Sequence, residues 1–267
     1  MRYQINHEGG HANLALYLDG QLYAVGDSHP YWEDILDALR YGDGESVTEL
    51  IDLATAASNR FRKVTDRVAV SEGGVVTFDG DVIDNSLADA IVRAMRNHDD
   101  ADFLGLSLFM ENVYQNPRKH SRDNLFDWLR THDFSITPDG MLVGYKGVSN
   151  DLTSISSGPG IVNGVAVNGH LDNSVGNVLE MARSSVEHDP SRGCSVGLHV
   201  GTWSYASSFG PKVLKVLVNP RDVVSVPTDC GWEKMRVCRY KVHSVIDNPV
   251  TSFVDSSWDD DWNESNW

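Results

Sequence analysis

Phe134-Ser135-Ile136-Thr137-Pro138-Asp139-Gly140-Met141-Leu142-Val143-Gly144-Tyr145-Lys146 is the stretch on which the fold turns. Proline fixes φ at one corner and glycine accepts positive φ at the next. Pro-Asp-Gly between two apolar runs therefore predicts a β-hairpin. Downstream, Val196 to Gly201 reads as a strand and Thr202 to Phe209 as a short helix. Val213 to Val218 and Val223 to Pro227 read as strands, the second ended by proline. Met235 to Val242 alternates with period two. Residues 149–195 are rich in Gly, Asn and Ser and weakly periodic, which predicts long loops with short strands. This half is expected to be mostly β.

Upstream, Phe103, Leu104, Leu106, Leu108, Phe109 and Val113 lie on nearly every side of a predicted helix, which implies burial. Asn116-Pro117 breaks it, and a second helix presents Leu125, Phe126, Trp128 and Leu129. Residues 12–97 read as two hairpin-plus-helix units. The first turns at Asp19-Gly20 and the second at Gly73-Gly74; each is followed by apolar residues at helical spacing, Trp32, Ile35, Leu36 and Leu39, then Leu87, Ile91, Val92 and Met95. Ser46 to Ala57 reads as a helix between them. The fold class is α+β: a hairpin/helix repeat region over 1–100, a helical and β-rich core domain over 101–250, and a disordered acidic, Trp-rich tail over 251–267.

Charge narrows the partners. The formal net charge is −16, and the acidic tail accounts for only part of it. Such a surface repels a phosphate backbone, so nucleic acid is an unexpected partner. The basic run Asn116-Pro117-Arg118-Lys119-His120-Ser121-Arg122 reads as the first turn of an exposed helix. No apolar stretch is long enough to span a membrane and no secretion signal opens the chain, so an intracellular location is expected. Three cysteines, Cys194, Cys230 and Cys238, without a C-x-x-C pair predict neither a disulfide framework nor a metal site. The glycines of 151–173 do not form a phosphate-gripping pattern, and no cofactor is expected.

A chain of motifs in the second half resembles the rIIB-like protein family of tailed bacteriophages. The carriers are Asp139-Gly140 leading to Gly144-Tyr145-Lys146, Cys194-Ser195-Val196-Gly197-Leu198-His199-Val200, Tyr205 and Phe209-Gly210. The strongest is Val216-Leu217-Val218-Asn219-Pro220-Arg221-Asp222-Val223-Val224-Ser225-Val226-Pro227, followed by Lys234-Met235-Arg236-Val237-Cys238-Arg239-Tyr240-Lys241-Val242. Met110 to Pro117 and Leu125 to Leu129 fit the same family. The resemblance covers residues 100–245 well and 12–97 only in outline. It implies a phage accessory protein, working with an rIIA-like phage protein or a host protein, that protects infection against prophage or host exclusion. It implies no reaction and no catalytic set. Some members carry a helix-turn-helix-like segment at the N-terminus; this chain begins with the hairpin unit, which further lowers the expectation of DNA binding.

Three constellations are candidates for chemistry or binding. Tyr145, His199, Tyr205 and Asp222 (or Asp229 as the acid) are similar, faintly, to the nucleotide clamp of ADP-ribosyltransferases; the alternative is that His199 is a bonded strand residue and Tyr205 fills core. Cys194 as a nucleophile needs a base, and His199 on the same extended strand faces the opposite side. In the tail, Trp258, Trp262 and Trp267 alternate with Asp259, Asp260, Asp261 and Glu264. An acidic, aromatic terminal peptide suits a basic groove with apolar pockets, as do the tails of single-strand DNA-binding proteins, and these residues are the expected partner-binding set. The competing reading folds the tail back on the body. A homo-oligomer or virion-associated component is the third functional possibility.

Overall fold

The computed structural model describes residues 1–18, 20–27, 29, 31–52, 62, 65–70, 76–82, 100–252 and 254–255. The chain divides into two compact units, Met1–Phe103 and Leu104–Trp267.

In the first unit, β1 (Arg2–Glu8), β2 (His11–Leu18) and β3 (Gln21–Gly26) form an antiparallel sheet in the order β1-β2-β3. The expected hairpin is β2–β3; β1 is an addition, because Arg2-Tyr3-Gln4-Ile5-Asn6 is exposed along most of its length and carries little apolar alternation. Along β2 the even positions Ala12, Leu14, Leu16 and Leu18 are buried, the period-two pattern of a sheet with one covered face. Helix α1 (Trp32–Tyr41) buries Trp32, Ile35 and Leu39 and ends on Gly42 in the left-handed conformation. Helix α2 (Gly44–Ile51) starts at Asp43, whose carboxylate accepts from the Ser46 amide at 3.1 Å. The second hairpin is β4 (Val68–Val70) with β5 (Val76–Phe78), joined by β6 (Asp81–Val82). Its Gly73-Gly74 turn and the helix expected from Leu87 to Met95 lie outside the described residues.

The second unit opens with α3 (Asp100–Tyr114) and α4 (Lys119–Thr131), parted at Asn116-Pro117 as expected. Leu106, Phe109, Met110 and Val113 are fully buried. A ten-stranded sheet follows, ordered β10-β9-β11-β16-β13-β8-β12-β15-β14, with β7 paired to β8. Its strands are β7 (Ser135–Ile136), β8 (Leu142–Val148), β9 (Thr153–Val162), β10 (Val165–Asp172), β11 (Val178–Glu180), β12 (Leu198–Gly201), β13 (Lys212–Val218), β14 (Val223–Ser225), β15 (Lys234–Val237) and β16 (Arg239–Ile246). Among the described residues every pairing of these strands is antiparallel. The fold is α+β with a β-rich second half.

The deciding hairpin closes as its residues dictate. Thr137 N–H donates to Met141 O at 2.9 Å, and Gly140 N–H to Thr137 O at 2.9 Å. Gly140 has φ +77°, and a Cβ there would stand 2.3 Å from Phe109 N. The turn is therefore pressed against α3 where no side chain fits. Short helix α5 (Trp203–Phe209), capped by Thr202 Oγ1, lies on one face of the sheet. It seats over Gly147, where a Cβ would be 2.3 Å from Ala206 O. Met141, Val143, Tyr145, Ala206, Val213 and Leu217 make the core between them.

Two expectations change. Residues 153–172, expected to be loop with short strands, form a ten-residue and an eight-residue strand joined at Asn163-Gly164. Both faces of this hairpin are largely exposed, so no apolar alternation was needed to build it. The strand expected over Met235–Val242 breaks at Cys238 into β15 and β16, and the polar side of β15 is buried too: Lys234 is 3% exposed and Arg236 0%.

The chain after β16 crosses back over the sheet. Val250 N–H donates to Tyr145 Oη at 2.9 Å, Ser135 Oγ to Ser252 O at 2.6 Å, and Asp255 N–H to Ile136 O at 2.8 Å; Val254 bridges Ile136. Lys215 Nζ and Asp255 Oδ2 meet at 2.7 Å, both nearly buried. Residues 251–255, assigned by sequence to the tail, thus begin it as a docked strap. Its disorder was expected further on as well, but residues 256–267 lie outside the described residues.

Candidate functional site

The motifs of the second half converge on a buried polar clasp. Asn116, at the break between α3 and α4, is 1% exposed. Its Nδ2 donates to Pro220 O at 3.1 Å and to Val223 O at 2.8 Å. Its Oδ1 accepts from Arg183 Nη2 at 2.8 Å and from Arg118 N–H at 3.3 Å. Arg183 also donates to Val223 O at 2.8 Å and to Arg221 O at 2.8 Å. Ser121 Oγ donates to Val224 O at 2.8 Å, and Asn219 Nδ2 to Asn112 Oδ1 at 3.3 Å. The Asn-Pro break and the Asn219-Pro220-Arg221-Asp222 turn hold each other's backbone, since buried carbonyls need donors and these side chains supply them. Asp222 belongs here: burial raises its carboxyl pKa, against the lowering pull of Arg221, Arg239 and Arg183. Its neighbour Cys238 is pushed up to about 11 by burial, which makes it an inert thiol.

A second centre forms on the α5 face. Gly201 pairs with Tyr145 on one side and with Lys234 on the other. A Cβ at Gly201 would lie 2.8 Å from the Tyr205 ring. His199, two residues earlier on β12, shares that face and stands opposite Arg236. The sheet therefore gathers Tyr145, His199 and Tyr205 around Gly201. The two tyrosines have structural occupations: Tyr145 packs edge-on against Trp203 with centroids 5.6 Å apart and carries the strap on its hydroxyl, while Tyr205 stacks on Phe209 at 5.6 Å; the buried Nε2 of His199 has no hydrogen-bond partner among the described residues. Burial, with Lys146, Lys234 and Arg236 nearby, lowers the His199 pKa to about 4 and keeps the ring neutral. Lys146, on the opposite face, donates to His199 O at 3.0 Å; burial lowers its pKa to about 8. Asp222 is not part of this group. Asp229 is tied to it through Lys234, the residue paired with Gly201, whose Nζ donates to its carboxylate at 2.7 Å.

Arg236 is the residue that sequence reading passed over. Its guanidinium donates to the carbonyls of Glu187, Asp189 and Gly193 at 3.3, 3.2 and 2.9 Å, to that of Arg192, and to Ser225 Oγ at 3.0 Å. One buried cation thereby shapes the 187–193 loop. Beside it lies a small open depression of about 200 Å3 lined by Ser184, Ser185, Val186, Glu187, His188, Ser195 and Val196. Alternation gives the face that Arg236 shares with Lys234, but not the loop that covers it. Cys194 is exposed, outside these clusters. Within the basic run, Arg118, Lys119 and His120 are exposed while Asn116 and Ser121 are buried, so two of its seven residues belong to the clasp. Trp258, Asp259, Asp260, Asp261, Trp262 and Trp267 lie outside the described residues. Among the described residues no group of three His, Cys, Asp or Glu could hold a metal, and no helix is long and apolar enough to cross a membrane.

These features define an α+β protein whose second unit is a β-rich module locked by a buried Asn–Arg clasp. The chain belongs to the family of the bacteriophage T4 protein rIIB, whose family model matches residues 10–253. Protein rIIB of Enterobacteria phage T4 is 32% identical over 233 residues, spanning 86% of this chain and 69% of that protein. No solved structure matches the chain.

Proposed function

We propose that this rIIB-family protein is a non-enzymatic interaction protein that protects an infecting phage against prophage or host exclusion, acting in the host cell cytoplasm. The single supporting observation is what the motif residues do. Asn116, Pro220, Asp222 and Arg236, with Arg183 beside them, spend their polar groups on backbone carbonyls, a serine hydroxyl, a neighbouring thiol and each other, and among the described residues they place no acid–base pair over a cleft. The working surface then lies outside the clasp. The acidic, Trp-bearing residues 258–267 suit a basic, apolar groove on a partner, and an rIIA-like phage protein is the first candidate. The test is capture of that protein by the tagged full chain and by a chain ending at Asp255, which keeps the strap. Capture by the first and not the second supports the reading; equal capture by both, or capture by neither, removes the tail from it.

A second reading, a nucleotide-using transferase similar to ADP-ribosyltransferases, is favoured by one observation: Tyr145, His199 and Tyr205 share the Gly201 region, with Asp229 rather than Asp222 tied to it through Lys234. Transfer of label from nicotinamide dinucleotide to host protein, lost in His199→Ala, would support it. No label transfer removes it.

A further inference from the structure

Strand β10 is the outer edge of the ten-stranded sheet. The β9–β10 hairpin turns at Asn163 (φ +49°) and Gly164 (φ +79°), a two-residue turn of the kind that matches strand twist. The pair flanking such a turn, Val162 and Val165, exchanges both hydrogen bonds, and bonded and non-bonded pairs then alternate. Ala166, Asn168 and His170 fall at the non-bonded positions, so their N–H and C=O groups point away from β9, along the free edge. Pro159 stands opposite Asn168 and points its substituted nitrogen the other way, beyond the reach of β11, which pairs only with Ile161 and Val162. Proline thus blocks the inner side of the hairpin; on β10 the register irregularity after His170 and the charge of Asp172 sit at the C-terminal end, so among the described residues Val165 to His170 carry no such guard.

Protein edges are usually guarded by charge, proline or a bulge. Residues 152–171 hold no Asp, Glu, Lys or Arg, in a chain that carries 38 acidic and 22 basic side chains. Two copies at −16 each repel one another, and the approach is least opposed where neither presents a charge. A neutral edge also offers no electrostatic match to a charged peptide; the strand it matches is itself. Val165 on this strand is 65% exposed, and Ile155 on β9 is 40% exposed.

We infer that β10 pairs antiparallel with β10 of a second copy about a two-fold axis at Asn168. In this register Asn168 faces Asn168, Ala166 faces His170, and Val165 faces Leu171 of the other copy. The three outward residues of each copy donate one N–H and accept at one C=O. The two ten-stranded sheets become one continuous sheet, an isologous interface of the commonest symmetry. The assembled form then presents two tails.

Sedimentation of the full chain tests this. At about 0.1 mM, where a micromolar Kd fills the dimer, the wild type should run as a dimer. Asn168→Pro removes only an outward N–H, so the hairpin keeps its internal ladder, confirmed by unchanged circular dichroism, while the dimer is lost. Asn168→Glu and Asn168→Lys each put like charges face to face at the axis and weaken the dimer about tenfold. An equimolar mixture of the two restores it as a heterodimer. A wild-type monomer, a dimer indifferent to these substitutions, or a mixture that stays monomeric overturns the inference. So does hydrogen-exchange protection of Ala166, Asn168 and His170 that is independent of concentration, which would mean that a segment of the same chain covers the edge.

Discussion

Replacing Asn116 by Ala tests the clasp at its centre. The substitution removes the donor to Pro220 O and Val223 O and the acceptor for Arg183 Nη2 and Arg118 N–H. Each partner keeps another bond: Val223 O from Arg183, Pro220 O from the Val223 N–H, and Arg183 Nη2 to Val223 O and Ser121 Oγ, so the loss is that of the hydrogen bonds themselves. A net hydrogen bond is worth about 1 kcal/mol, and a buried group left unsatisfied costs about 1–3 kcal/mol. Four lost hydrogen bonds in a site 1% exposed, the 3.3 Å one worth least, sum to about 3–4 kcal/mol. For a unit of this size each kcal/mol moves Tm by about 2–4 °C, so a fall of about 6–16 °C is expected. Differential scanning calorimetry of the full chain reads it. Gln115→Ala is the control, because its only described side-chain contact is an exposed one at 3.5 Å to Arg221, and it should shift Tm by less than about 2 °C. If Asn116→Ala also moved Tm by less than that, the clasp would contribute nothing to stability and the structural role given to the family motifs would fail.

Other outcomes follow from the same geometry. The folded His199 ring protonates near 4 and an unfolded one near 6.5, so unfolding takes up a proton between those values and stability falls as pH drops through that window. The contribution lost by pH 5 is about 1–2 kcal/mol for this partly exposed ring, and His199→Gln should lose less Tm than the wild type between pH 7 and 5. Gly147→Ala places a methyl 2.3 Å from Ala206 O, so α5 must lift; a loss of about 2–4 kcal/mol in chemical denaturation is expected, against near-neutrality for Ser207→Ala. Asp255→Ala removes the carboxylate that Lys215 meets in a nearly buried site, a loss of about 3–5 kcal/mol, and should expose residues 248–255 to proteolysis. A chain ending at Asp255 should melt like the full chain.

Much of this architecture was legible in the residues. Pro138-Asp139-Gly140 located the central hairpin, Asn116-Pro117 the helix break, and Thr202 the cap of α5, because each is a local device whose physics acts within a few residues. The β9–β10 hairpin was not legible, since a strand exposed on both faces has no apolar rhythm to read. The burial of Arg236, Lys234 and Lys215 was not legible, because alternation predicts a face, not what covers it; the loop, Asp229 and the strap that cover them come from 5 to 49 residues away. The Tyr145–His199–Tyr205 grouping was readable as neighbouring motifs, but Asp222 went with the wrong cluster, since the turn it caps folds against α3 and α4 rather than α5.

Plating efficiency on a prophage-carrying host separates binding from catalysis most directly. A phage lacking this gene would be complemented with the wild-type chain, a His199→Ala/Tyr205→Phe chain, or a chain ending at Asp255. Full rescue by the double variant, with none by the shortened chain, is the predicted result. Rescue by the shortened chain together with failure of a stably folded double variant would contradict the account and move the function to the Gly201 cluster.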